Sequence, residues 1–224
     1  MTLNSDKVGQ IGIMERMSND AARSELLSLL RERSVFRGEF TLASGGKSSY
    51  YIDCRLTTFH PRGAWLCGEL MHRLIRNAQK QRNVEIDATG GLTMGADPLA
   101  LAIGMFSQFA KDEKVLEVFS VRKTPKAHGQ TKLIEGNFKK GQTVVVLDDV
   151  VTRGESTLTA IDAVEKEGGK IAFVAVLVDR QEGGRQKIEE RGYTVHPLFT
   201  KEELLGGEAP SPQTGAHLAG ARGR

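Results

Sequence analysis

The chain has 224 residues, 39% of them hydrophobic, and its 31 lysines and arginines against 28 aspartates and glutamates give a net charge of +3. This length is typical of one domain with short extensions, and so small a charge does not predict a nucleic-acid partner. Two cysteines, Cys54 and Cys67, are too few for a disulfide framework, which favours a reducing, cytoplasmic setting. No apolar run approaches the roughly 18 residues of a membrane span, and the N-terminus lacks the apolar core of a signal peptide, so no membrane partner is expected.

The N-terminal part of the chain predicts a helix, a small hairpin and a second helix. Residues 1–17 show no periodicity and form an N-terminal extension. A helix fits 18–36, because leucines recur on one face and polar residues precede it. The segment 38–55 has strand-like flanks around a glycine-serine turn, and a long helix fits 61–80, with Pro61 in its first turn. The apolar face of the first helix is Leu26, Leu27, Leu29 and Leu30, and its candidate N-caps are Ser18, Asn19 and Asp20.

Apolar strands alternate with amphipathic helices through the rest of the chain. The predicted strands are 85–89, 115–121, 143–149 and 171–180. A glycine turn after the first strand leads into a helix over 98–110, and another helix, with Leu158, Ile161 and Val164 at helical spacing, stops at Gly168. This alternation predicts an α/β fold with a parallel sheet covered on both faces. The tail 206–224 lacks periodicity and is expected to be disordered, which leaves one domain over 18–205.

The run TVVVLDDVVTRGEST places adjacent carboxylates, Asp148 and Asp149, at the end of an apolar strand. In open α/β sheets, ligands bind beyond the carboxyl ends of the strands. The loop then opens a helix whose free N–H groups attract an anion; Gly154 permits close backbone approach, and Ser156 and Thr157 add hydroxyls. These residues predict a phosphate held by the loop and a ribose-like group held by the carboxylates. The alternative is an N-capped helix after a solvated acidic strand end, but the full pattern favours the site.

This run resembles the phosphoribosyl-pyrophosphate (PRPP) motif of the type I phosphoribosyltransferases. The resemblance implies that Asp148 and Asp149 contact the 2′- and 3′-hydroxyls of ribose and that the loop cradles the 5′-phosphate. The loop residues implied in PRPP binding are Val150, Val151, Thr152, Arg153, Gly154, Glu155 and Ser156. The motif is specific for the superfamily and does not identify the base.

Two glycine-rich segments suggest other nucleotide sites and fail on spacing. GGKSS lacks the first glycine of a P-loop, because Thr41 stands at that position. ATGGLTMG carries glycines at 90, 91 and 95, which do not fit the dinucleotide fingerprint.

A cationic loop, SVRKTPKAHGQTK, follows the strand 115–121. Clustered cations are either solvated or meet an anion, and a reaction that expels pyrophosphate needs positioned cations and a loop that excludes water. The R-K-x-x-K-x-H-G pattern resembles the catalytic loop of the orotate phosphoribosyltransferase family. The resemblance implies a homodimer in which the 122–132 loop reaches the neighbouring active site, with Lys126 as the main catalytic candidate beside His128 and the two aspartates. The implied pyrophosphate ligands are Arg122, Lys123, Lys126 and His128.

A carboxylated base such as orotate needs a fixed cation, and Arg180 ends the strand 171–180 in the segment LVDRQEGG. The alternative role for Arg180 is an ion pair with Asp179 or Glu182. The segment resembles the family's D-R-Q-E stretch, whose arginine contacts orotate, and Thr152 matches a position that also touches the base.

The segment EFTLASGGKSSYYID resembles the hood that covers the base in this family. Tyr51 and Ile52 match positions that contribute backbone contacts to orotate. One version of the pattern has lysine where this chain has Ala43, and Lys47 is the candidate substitute. Likewise, Met94 stands where some versions place a lysine in the pyrophosphate loop.

The resemblance implies a type I phosphoribosyltransferase fold, with a central mostly parallel sheet flanked by helices and a small N-terminal hood within 18–60. It implies Mg²⁺-dependent transfer of the phosphoribosyl group from PRPP to orotate, in pyrimidine nucleotide synthesis, with no dedicated protein ligand for the metal. Two alternatives remain: a purine phosphoribosyltransferase, which would use an aromatic platform instead of Arg180, and a PRPP-sensing regulator, which would have little use for the loop cations.

Overall fold

The computed structural model describes residues 18–41, 47–124 and 133–206. The helices are α1 Asn19–Ser34, α2 Arg55–Thr58, α3 Pro61–Arg82, α4 Ala96–Phe109, α5 Glu155–Lys166, α6 Gly184–Glu190 and α7 Lys201–Leu205. The strands are β1 Val35–Thr41, β2 Lys47–Ile52, β3 Ala88–Leu92, β4 Glu117–Val121, β5 Ile134–Gly136, β6 Thr143–Val151, β7 Lys170–Asp179 and β8 Val195–Thr200. The predicted extension and tail lie outside the described residues, apart from Gly206, which ends α7.

The N-terminal elements form a helix and an antiparallel hairpin. Ser18 caps α1, since its hydroxyl oxygen accepts a hydrogen bond from the N–H of Ala21 at 3.3 Å. β1 runs directly from α1 and pairs with β2 in antiparallel register, with Val35 opposite Ile52. The hairpin is anchored to the domain, because Ile52 is buried in the core together with residues of α1 and α3.

A six-stranded sheet in the order β5-β4-β3-β6-β7-β8 forms the centre of the fold. All neighbouring pairs are parallel except β4 and β5. Successive residues of β6 enter two separate cores: Val145 and Leu147 pack on the side of α1, α3 and α4, while Val144 and Val146 pack on the side of α5 and α6. Burial on both faces explains why β6 and β7 are almost continuously apolar, and it confirms the predicted α/β architecture.

Two strands differ from the sequence prediction where they approach the site. β3 covers 88–92 instead of 85–89, so Gly90 and Gly91 lie inside the strand and not in a turn. A Cβ at Gly91 would lie only 2.1 Å from the carbonyl oxygen of Leu147 on β6, so the close packing of these strands requires glycine. β6 continues past the carboxylate pair to Val151, because its pairing with β7 extends that far.

Several short elements were not predicted. They are α2, β5, α6, β8 and α7, of which the helices have four, seven and five residues. The helices and the three-residue strand β5 are too short to show a clear period, so tertiary packing decides their structure, whereas β8, with six residues, was missed although it is as long as β2.

Candidate active site

Two adjoining clefts open at the carboxyl ends of β3, β6 and β7. The first cleft, of about 260 Å³, is lined by all seven loop residues from 150 to 156 together with Asp148, Arg180 and Glu182. The second cleft, of about 390 Å³, is lined by Asp148 and Asp149, the loop 92–95, Val150, Ser156, Arg55 and Lys123. Because Asp148 lines both clefts, the acidic pair stands at the junction of the two spaces.

The loop before α5 is shaped by glycines. Gly154 precedes the first residue of α5 with a φ of +79°, a left-handed conformation that glycine adopts without strain. A side chain here would also meet the backbone of Gly184 at 2.9 Å. The N–H of Gly184 donates to the carbonyl of Thr152 at 2.9 Å, which fixes the loop against the start of α6. The first cleft therefore has the N-terminus of α5 as one wall, as an anion site requires.

The acidic pair is largely withdrawn from solvent. The Thr157 hydroxyl donates to Oδ2 of Asp148 at 2.6 Å, and the N–H of Val150 donates to Oδ1 of Asp149 at 3.0 Å. A Cβ at Gly95 would lie 2.3 Å from Oδ1 of Asp149, so only glycine lets the loop 92–95 come this close.

Burial raises the pKa of Asp148, and the neighbouring charge of Asp149 raises it further, against the opposing hydrogen bond from Thr157. Burial likewise raises the pKa of Asp149, against the Val150 N–H. A buried and a partly buried carboxylate side by side favour ligands that donate hydrogen bonds or carry positive charge. The sequence alternative of a solvated acidic strand end is therefore wrong for Asp148, which is only 7% exposed.

Arg180 is buried at the edge of the first cleft and is partly paired. Its Nη2 lies 2.8 Å from Oε1 of Glu182, and the Tyr50 hydroxyl donates to the same oxygen at 3.0 Å. The guanidinium carbon lies 5.2 Å from the centre of the Tyr50 ring. Asp179 does not share this pair; its Oδ1 accepts the N–H of Gln181 at 2.7 Å.

The Nε of Arg180 is buried and has no hydrogen-bond partner within the described ranges. A buried guanidinium N–H without an acceptor is costly, and a ligand carboxylate would satisfy it. The pair with Glu182, foreseen as the alternative role, thus leaves the Nε–H of the guanidinium for a ligand.

The predicted hood contacts Lys47, Tyr51 and Ile52 lie on β2, and none of the three is among the described residues that line the two clefts. Lys47 is exposed at the start of the strand, and Ile52 is buried. The Tyr51 ring packs against Phe40, with 5.8 Å between ring centres, on the face away from Arg180. The side chain that reaches the cleft edge is that of Tyr50, which the sequence reasoning did not single out; strand alternation from buried Ile52 could have indicated it.

The loop cations separate in the structure. Lys123 lines the second cleft, whereas Arg122 lies 3.6 Å from Glu135 on β5. Lys126 and His128 fall outside the described residues. Arg55, which sequence reasoning missed, joins Lys123 in the second cleft.

No group of three or more His, Cys, Asp or Glu side chains within 18–41, 47–124 and 133–206 is placed to hold a metal ion. None of the helices in those ranges is both long enough and apolar enough to cross a membrane.

Comparison with known proteins gives one family. The model of the phosphoribosyl transferase domain matches residues 62–195. The orotate phosphoribosyltransferase of Rhodopirellula baltica is 39% identical over 187 residues, covering 82% of this chain and 96% of the relative. That of Aquifex aeolicus is 41% identical over 186 residues, covering 82% and 97%.

Similar solved structures come from the same family. The orotate phosphoribosyltransferase of Mycobacterium tuberculosis H37Rv in complex with PRPP superposes with a TM-score of 0.64 at 33% identity, covering 82% of this chain and 92% of that one. The enzyme from Aeropyrum pernix gives a TM-score of 0.63 at 28% identity, covering 81% and 97%.

Proposed function

Because the chain belongs to the orotate phosphoribosyltransferase family, we propose that it transfers the 5-phosphoribosyl group of PRPP to orotate, a step of pyrimidine nucleotide synthesis. The bond between C1 of ribose and the pyrophosphate oxygen breaks, and its electron pair leaves with pyrophosphate. N1 of orotate releases its proton to solvent and bonds to C1, giving orotidine 5′-monophosphate. The observation that carries this proposal is the buried pair Asp148–Asp149 at the junction of two clefts, one ending at the loop 150–156 and Arg180.

The first cleft suits the ribose phosphate. The N-terminus of α5 and the backbone of 150–156 bind the 5′-phosphate, because free N–H groups and the helix dipole attract an anion. Asp148 and Asp149 accept hydrogen bonds from the 2′- and 3′-hydroxyls of ribose. Thr157 supports this role, since its hydroxyl holds the Asp148 carboxylate in place at 2.6 Å.

The second cleft suits the leaving pyrophosphate. Lys123 contributes positive charge in this chain, and we assign Arg122, Lys126 and His128 to the same anion, from a loop that closes over the site of the neighbouring subunit. Their charge stabilises the departing group, while the carboxylate pair stabilises positive charge that develops on the sugar. Positioning of the two reactants supplies a further part of the acceleration.

Mg²⁺ is the proposed cofactor, and a bound ion would neutralise charge on the pyrophosphate. The donors present fit this ion, because Asp148 and Asp149 offer hard carboxylate oxygens beside the substrate. Their raised pKa values indicate a pair that a nearby cation would stabilise in the ionised form.

The base lies against Arg180, whose unpartnered Nε and planar fork suit the carboxylate of orotate. Thr152 lines the same cleft. We retain Lys47, Tyr51 and Ile52 as orotate contacts from the hood, the latter two through their backbone.

A homodimer and a cytoplasmic location complete the proposal. Exposed apolar side chains recur along one face of α4, with Met105 72% exposed and Leu101 58% exposed, and a second subunit would cover them. The two cysteines are free thiols, as is usual in a reducing compartment.

The proposal is tested on Arg180. Arg180→Ala should raise the KM for orotate by roughly 100-fold, because a charge-assisted contact to the orotate carboxylate is lost. The KM for PRPP should stay within about twofold of its value in the unaltered protein. The matched control is Arg185→Ala, which removes an exposed arginine that pairs with Glu189 outside both clefts. Equal changes in both KM values, or none, would remove Arg180 from the base pocket.

A further inference from the structure

The second cleft has an apolar residue where its loop faces the proposed pyrophosphate. Met94, in the loop 92–95, is 58% exposed and lines the cleft beside Gly95. A thioether cannot neutralise the charge of a leaving pyrophosphate. Positive charge on this side of the cleft must therefore come from another element.

Arg55 supplies that charge. It is the first residue of α2, and its side chain is 49% exposed while lining the cleft with Lys123 and the acidic pair. The hydrogen bond with Asp53 raises the pKa of the guanidinium further, and an arginine in any case keeps its positive charge in a protein.

Asp53 holds the guanidinium in a fixed orientation. Nε of Arg55 donates to Oδ1 of Asp53 at 2.8 Å, and Nη2 donates to Oδ2 at 2.7 Å. The same Oδ1 accepts the backbone N–H of Arg55 at 3.1 Å, which ties the carboxylate to the start of α2. This bidentate pairing uses one edge of the fork and leaves Nη1 without a partner in the described part of the chain. The cation is thus oriented before any ligand arrives.

We propose that Arg55 is a pyrophosphate-binding residue, that Asp53 positions it, and that it takes the place of a cation at Met94. The inference rests on the proposed use of PRPP. It assigns to this chain a pyrophosphate-binding residue that belongs neither to the loop 122–132 nor to the PRPP motif. The competing interpretation is a solvated ion pair at the start of α2, which would have little effect on any ligand.

The test measures ligand binding and kinetics in parallel. Inorganic pyrophosphate and PRPP are titrated calorimetrically, in the presence of Mg²⁺, into the intact protein and into Arg55→Ala, Arg55→Lys and Asp53→Asn. The KM values for PRPP and orotate are measured for the same proteins. The control is Arg33→Ala, because Arg33 is an arginine on α1 that contacts the carbonyl of Leu56 and lines neither cleft.

Arg55→Ala should weaken pyrophosphate and PRPP binding by about 10- to 100-fold, as expected for a lost charge-assisted hydrogen bond. Arg55→Lys should recover part of the loss, since it keeps the charge without the fork, and Asp53→Asn should give a smaller loss than Arg55→Ala. The KM for orotate and the Arg33→Ala control should stay unchanged.

Unchanged pyrophosphate binding in Arg55→Ala would overturn the inference. It would also be overturned if Arg55→Ala raised the KM values for PRPP and orotate equally and lowered the Tm, because the substitution would then act on the fold. If the proposed function is wrong, the unaltered protein will turn over no orotate, which is a different result from either of these. The pyrophosphate titrations still decide the role of Arg55 in that case.

Discussion

The hydrogen bond from Thr157 to the buried Asp148 carboxylate makes stability depend on pH in a way that one substitution can expose. Thr157→Val keeps the shape of the side chain and removes the hydroxyl that donates to Oδ2 at 2.6 Å. Both residues are buried, so water cannot replace the lost donor, and a hydrogen bond to a charged group contributes about 1.5–3 kcal/mol. That free energy corresponds to a further rise of about 1–2 units in the pKa of Asp148.

The sign follows from linkage between protonation and folding. Burial already raises the pKa of Asp148 above its unfolded value, so the native state binds more protons than the unfolded chain, and stability falls as pH rises through that interval. Thr157→Val raises the pKa of native Asp148 further, so the pH range over which stability falls extends to higher pH. The substitution should therefore cost about 1–2 kcal/mol near pH 8.5, where the carboxylate of the unaltered protein is charged but that of the variant is partly protonated, and much less near pH 5, where both are protonated.

Urea denaturation at the two pH values measures the difference. The control is Thr159→Val on the same helix, whose exposed hydroxyl donates only to the backbone carbonyl of Glu155. It should change the free energy of unfolding little, and equally at both pH values. A cost for Thr157→Val that is the same at both pH values would show that Thr157 does not stabilise the ionised form of Asp148.

Three further results are expected. Lys126→Ala should lower kcat by roughly 100-fold or more with a smaller change in the KM for PRPP, because the lysine acts on the departing pyrophosphate; unchanged turnover would make it a solvated cation. Asp112→Asn should lower the free energy of unfolding by about 2–4 kcal/mol at pH 7, since its Oδ2 accepts from His72 and Arg76 at 2.6 and 2.7 Å. That contribution is lost as pH falls through the lowered pKa of Asp112, about 2, so an acid-insensitive difference would contradict it. Met105→Glu should dissociate the proposed dimer in sedimentation velocity, and an unchanged sedimentation coefficient would move the interface away from α4.

The sequence predicted those features of the site that depend on local pattern. The strand, the acidic pair and the glycine before α5 are consecutive in the chain, and the structure brings all seven loop residues from 150 to 156 into one cleft. Arg180 was found because the carboxylate of orotate requires a cation and the segment LVDRQEGG resembles the family's D-R-Q-E stretch; in the structure it directly follows β7, whose neighbour β6 carries the acidic pair.

The features that escaped the sequence depend on packing between distant segments. Tyr50 meets Arg180 only because the hairpin folds over the end of β7, 130 positions along the chain. Thr157 was noticed as a hydroxyl donor to a ligand, whereas its partner is Asp148 itself. Arg55 belongs to a four-residue helix that shows no period, so its place opposite the acidic pair appears only in the folded chain.

Consumption of the base by the purified protein identifies which base is transferred. The purified protein, with PRPP and Mg²⁺, is offered orotate, uracil, hypoxanthine and adenine in parallel, and pyrophosphate release is followed. Orotate alone should be turned over, because only orotate carries the carboxylate that the buried Arg180 can bind. Turnover of uracil or a purine at a comparable rate would contradict the pocket assignment, and PRPP binding with no turnover of any base would make the protein a PRPP-binding regulator instead.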